Sequence, residues 1–150
     1  MAEVTKPMAI LPYDPGRLPT EPAPTSGESL TIEVAGLPPH KDRSQSIRNS
    51  HHPDHQAFLQ LRQRALNGMG NRAWYFGKIA MEITLFGSPD TAIHTLNAYM
   101  GGICDTLGGS SGLTFTYLPI IYEDDSQIDS LSITWQRDTD VHYCIRLLFV

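Results

Sequence analysis

The chain has 150 residues, 41% of them hydrophobic, and a formal net charge of −5, which is enough for one domain with a real core. It holds no apolar run of the ~20 residues that a membrane-spanning helix needs, and its opening "MAEVTKPMAILPYDP" lacks the basic-then-apolar pattern of a secretory signal. Only two cysteines occur, Cys104 and Cys144, both inside apolar-patterned segments; buried thiols of a reducing, cytoplasmic protein are the expectation.

Residues 1–28 hold six of the eleven prolines and no apolar period, so they read as a disordered or extended tail ahead of a domain over 29–150. In "SLTIEVAGLPP" Leu30, Ile32 and Val34 alternate, giving a first strand that stops at Pro38-Pro39. A basic, His-containing loop follows from Lys41 to Pro53. Phe58, Leu61, Ala65, Leu66 and Met69 then recur at helical spacing up to Asn67-Gly68, with Arg62 and Arg64 read as lying off that stripe.

Ile79, Met81, Ile83 and Leu85 alternate as a second strand. Ser88-Pro89-Asp90 predicts the start of a second helix, with a Ser cap, Pro at the first position and an acid in the first turn. Ile93, Leu96, Met100, Ile103 and Leu107 continue it, and Asn97 falls on the buried stripe. Gly101-Gly102 inside that run costs roughly 2 kcal/mol relative to two alanines and points to close packing or a bend. "LTFTYLPIIY", broken by Pro119, reads as an irregular or edge strand. Leu131, Ile133, Trp135 and then Val141 to Phe149 alternate around a polar turn at Arg137–Asp140, predicting a closing hairpin. The expected fold is α/β (α+β): a small mixed β-sheet with two helices in the order β-α-β-α-β-β-β.

Charge is unevenly spread. Residues 36–78 carry seven bases against Asp42 and Asp54, while residues 79–150 carry Arg137 and Arg146 against nine acids. A basic block followed by an acidic half suits a protein that grips a polyanion while holding a cation. The acids concentrate in "YEDDSQIDSL", where Glu123, Asp124 and Asp125 stand side by side before a strand. They either hold a divalent metal or mark a solvated turn. Magnesium takes one or two carboxylates plus water and substrate phosphate, so Asn97 and Asp90 are candidate partners from the second helix. "HHPDH" (His51, His52, Asp54, His55) lacks the i, i+4 spacing of helical zinc pairs and reads as a polar loop.

Together, "GLPPHKDRS", "KIAMEITLFGSP", "LNAYMGGICDTLGG" and "YEDDSQIDSLSITW" resemble, in order and spacing, the RusA family of Holliday junction resolvases. The resemblance implies a small mixed α/β homodimer that cuts four-way (branched) DNA junctions with magnesium, in recombination and repair. The family's D-x-D-N motif falls on Thr95-Leu96-Asn97-Ala98, its lysine on Gly101, and its late acidic pair on Asp124-Asp125. The early carboxylates and the lysine are therefore replaced. The resemblance implies a metal set of Asp125 and Asp124 with Asn97 or a re-routed Asp90, and a DNA grip by Lys41, Arg43, Arg48, Arg62 and Arg64. The alternative expectation is a catalytically degenerate relative that binds branched DNA or a protein partner without cutting.

Overall fold

A computed structural model describes residues 19–41, 47, 51–91, 95–108, 110–111 and 116–150. Strand β1 (Ser29–Ala35) leads to helix α1 (His55–Met69), strand β2 (Ile79–Gly87) and helix α2 (Leu96–Leu107). A two-stranded ribbon, β3 (Ser110–Ser111) and β4 (Thr116–Tyr117), precedes one 3-10 turn (Asp125–Gln127) and the long strands β5 (Ile128–Arg137) and β6 (His142–Phe149). The main sheet runs β1-β6-β2-β5, with β6 antiparallel to both neighbours and β2 parallel to β5. This is the expected mixed sheet with two helices, to which the short ribbon is added.

Period-two alternation gives the sheet one core face. Ile32 and Val34 of β1, Ile79, Met81, Ile83 and Leu85 of β2, and Tyr143, Ile145, Leu147 and Phe149 of β6 are buried. They meet Leu61, Ala65 and Met69 of α1 and Tyr99, Ile103 and Leu107 of α2. The opposite face carries Thr31, Glu82, Ser130, Ser132 and Arg146 around a shallow hollow of about 330 Å³. Cys144 also lies on that face and is only half-buried, whereas Cys104 is buried.

Three expectations are corrected. First, β5 and β6 are not a paired hairpin, because β2 lies between them. The four residues 138–141 span two strand spacings, ~10 Å, and are pinned on both sides: Asp138 N–H donates to Gly87 O (2.9 Å) and Gly36 N–H to Val141 O (2.9 Å). Inserting β6 between β1 and β2 gives all four of its core-face side chains nearly complete burial.

Second, α2 does not start at Pro89. Ser88 to Thr91 form a turn closed by Thr91 N–H to Ser88 O (3.0 Å), and the helix begins at Leu96. Thr95 supplies the cap, its Oγ1 accepting from Ala98 N–H (3.3 Å). Third, Asn97 is exposed: it stands roughly 200° around the helix from Tyr99, on the far side from the core.

Residues 19–28, assigned to the tail from sequence, are held against the domain. Thr20 and Glu21 N–H groups donate to Asn71 O, Gly27 N–H donates to Phe149 O, and Glu28 pairs with Arg72 (3.2 Å). The rest of that predicted tail, residues 1–18, lies outside the described residues.

Candidate metal and phosphate site

The parallel pairing of β2 and β5 decides which candidate residues meet. Ile79 pairs with Ile128 and Gly87 with Arg137, so Asp125 precedes the starting ends of both strands and Asp90 follows the finishing end of β2. A nine-residue strand separates the two levels, roughly 26 Å. No single ion can join Asp90 to Asp125. Asn97 shares the distant end, since it opens α2 and lies about 12 Å along the helix axis from Asp105. Asp90 and Asn97 are both exposed and are set apart from Asp124 and Asp125.

The residue that α2 does deliver is Asp105, in its last turn. Its charge acts on Asp125, whose carboxyl is pushed above the usual carboxylate range. Desolvation is the main cause, followed by repulsion from Asp105 and from Asp124; the Tyr122 hydroxyl and the Lys41 ammonium pull the other way. Tyr122 is fully buried and donates to Cys104 O (2.8 Å), fixing the chain before the acids against the end of α2. Burial, with Asp125 next, pushes the Cys104 thiol up to about 11, which keeps it protonated and inert at neutral pH.

Lys41 completes the cluster. Its N–H donates to Ala98 O (2.9 Å), and its Nζ lies 3.6 Å from Asp105 Oδ2 while the side chain stays 63% exposed. The two glycines of α2 make this possible. A Cβ on Gly102 would lie 1.9 Å from Pro39 O, and one on Gly101 would lie 3.0 Å from Lys41 Cδ. The segment Pro39–Lys41 therefore crosses directly on the helix backbone, and the lysine stem fills the space over Gly101. Close packing, one of the two sequence readings of the pair, is the one found.

Asp124 has a local task. Its side chain accepts from Ser126 N–H (3.4 Å) and Ser126 Oγ–H (2.9 Å), capping the 3-10 turn. Gln127 reciprocates: its Oε1 accepts from the N–H groups of Glu123 (2.8 Å) and Asp124 (3.0 Å). Its Nε2 donates to Tyr75 O (2.7 Å) and Gly77 O (3.0 Å). Much of "EDDSQ" is thus a turn-building device that binds the strand entrance to the 75–77 segment. Asp125 is the acid it leaves facing Asp105.

Among the described residues no group of three or more His, Cys, Asp or Glu is placed to hold a metal ion. Magnesium here would use the Asp105 and Asp125 carboxylates and complete its shell with water and substrate oxygens, a donor set it accepts. The raised carboxyl fits that use, because a dication relieves the repulsion that raises it.

The expected phosphate grip divides. Arg62 is 0% exposed; it donates to Thr106 O (3.4 Å) and Leu118 O (3.1 Å) and lies over the Phe58 ring at 5.9 Å. It ties α1 to the far end of α2 and is unavailable to DNA. Arg64 and Lys41 are exposed. Arg43 and Arg48 lie outside the described residues. The "HHPDH" segment forms the entrance to α1. Asp54 Oδ2 accepts from His40 N–H (2.8 Å) and contacts the His40 ring, while His52 Nδ1 accepts from Asp54 N–H (2.9 Å). His55 Nδ1 bonds Ile47 O (2.9 Å).

Sequence reasoning used Asp105 only as a landmark and missed it as a ligand. The available signal was an acid closing a helix beside a buried cysteine, in a position that favours a base. Among the described residues no helix is long and apolar enough to cross a membrane. No known family model matches the chain, and a search of curated proteins finds no match either.

Proposed function

We propose that this protein is a RusA-like, magnesium-dependent endonuclease of branched DNA, with Asp105 and Asp125 as metal ligands and four-way junctions as substrate. The observation that carries the reading is the convergence of Asp105, Asp125 and Lys41 from three separate elements. Magnesium, when bound, supplies a Lewis acid for the phosphodiester and an activated water. Asp105 and Asp125 hold it, and Asp124 keeps the turn that aims Asp125. Lys41 offers an exposed ammonium to the adjoining phosphate. Its stem lies over Gly101, so the lysine that the family resemblance expects on the helix arrives instead from the loop after β1. Arg64 extends the grip across α1, which makes the affinity strongly salt-dependent.

A second reading, binding without cutting, is favoured by the Lys41–Asp105 contact, which already partly neutralises one of the two ligands. Cleavage of a synthetic four-way junction, with and without magnesium, separates the two. Cutting that needs magnesium and disappears in both Asp105→Asn and Asp125→Asn supports the enzyme. Junction binding by the wild type without cutting supports the second reading. Neither binding nor cutting, across a range of salt, overturns both.

A further inference from the structure

The sheet ends in two unequal edges. Strand β1 is seven residues long and carries Glu33 near its middle, a charge of the kind that discourages edge pairing. Strand β5 is ten residues long and has no charge, proline or glycine between Asp129 and Arg137. Its side chains Leu131, Ile133 and Trp135 face the core yet remain only half-buried. Their partners on β2, Met81, Ile83 and Leu85, are no more than 2% exposed. Among the described residues β5 pairs with β2 alone, so its other row of backbone N–H and C=O groups has no ladder partner.

We propose that two copies of this chain join along β5, antiparallel, with Ile133 on the two-fold axis, giving one continuous sheet of eight strands. The occupant follows from the strand's complementarity to itself. An isologous antiparallel pair must place same-face residues opposite one another. Centred on Ile133, it sets Leu131 against Trp135, Ser132 against Thr134, and Asp129 against Arg137, each pair occurring twice. Centred on Ser132, it would set Asp129 against Trp135; centred on Thr134, it would set Leu131 against Arg137. Only the Ile133 register matches apolar with apolar and acid with base. Neither Asp129 nor Arg137 makes an ion pair among the described residues. The proposal rests on β5 and not on the carboxylate cluster.

The test uses the full chain. Sedimentation over a range of concentrations gives the mass, and three single variants report the register: Ser132→Cys, Ile133→Cys and Thr134→Cys, oxidised mildly beside the unsubstituted chain. Directly opposed residues have Cα atoms about 4.5–5.5 Å apart, within disulfide reach. Only Ile133→Cys opposes itself, so it alone should give a covalent dimer beyond the unsubstituted background. Asp129→Arg and Arg137→Asp, both at exposed positions, should each weaken the dimer about tenfold, and the double swap should restore it. A monomer at every concentration overturns the proposal. So does a dimer cross-linked through Ser132→Cys or Thr134→Cys, or one that the charge reversals leave unchanged.

Discussion

The two ends of helix α2 are built on different terms. At its start, Thr95 caps the helix and Asn97 and Asp90 look outward, each bearing little on the rest of the fold. At its end, Pro39 lies on Gly102, Arg62 reaches Thr106 O, Tyr122 reaches Cys104 O, and Asp105 meets Lys41 and the field of Asp125. One end is a connection and the other is a junction of four chain segments. A helix can thus concentrate packing and electrostatics in its final two turns, even when its opening residues look the more functional in sequence.

Substitutions at the two ends should therefore separate sharply. Arg62→Ala removes a buried cation and leaves two carbonyls without their donor, and should cost about 4 kcal/mol. Arg64→Ala, one helix position from the exposed face's centre, should stay within about 0.5 kcal/mol in the same urea titrations. Equal losses would mean that the Arg62 contacts are not what joins α1 to α2. Gly102→Ala must push the Pro39–Lys41 segment off the helix and should cost about 3 kcal/mol. A loss under about 0.5 kcal/mol would show that the segment lifts freely. At the opening end, Thr95→Ala should cost only about 1 kcal/mol, the ordinary worth of a cap.

The carboxylates give a smaller, pH-dependent contrast. The carboxyl of Asp125 is raised on folding, so the native state holds its proton to higher pH than the unfolded chain does. Stability therefore falls as pH rises through that raised carboxylate range. Asp125→Asn should be slightly more stable than wild type at neutral pH, by less than about 1 kcal/mol for so exposed a group. That gain should vanish at acid pH. Thermal melts should also show magnesium stabilising the wild type and not the variant. Smallest of all, Asp90→Asn and Asn97→Ala should leave stability and the magnesium response unchanged within about 0.5 kcal/mol; a lost response in either would reconnect the two ends.

What could be read from sequence follows from range. Alternation in β1, β2 and β6 and the helical stripe of α1 are local signals, and they identified the elements and their core faces. Strand order was not local: the polar turn after Arg137 looks the same whether β5 and β6 pair with each other or straddle β2. Arg62 was misread because its charge outweighed its spacing, four residues after Phe58 and three before Ala65, which places it on the buried stripe. Asp105 was missed because 20 residues separate it from Asp125, and only the parallel crossover from β2 to β5 brings the end of α2 to the start of β5. The acidic run itself was legible as either a metal set or a turn, and Asp124 and Gln127 make the turn half of that plain.

The straddling of β2 by the last two strands bears on how the chain folds. Because β6 lies between β1 and β2, and β5 on the other side of β2, no two neighbours in the main sheet are consecutive in sequence. No hairpin can form early and serve as a template, and each ladder must close a long loop before it gains anything. Folding should accordingly be slow for a chain of this size, on the millisecond-to-second scale of topologies dominated by distant pairings. Cutting the chain between β5 and β6 would remove a strand from the middle of the sheet, leaving β1 with no partner.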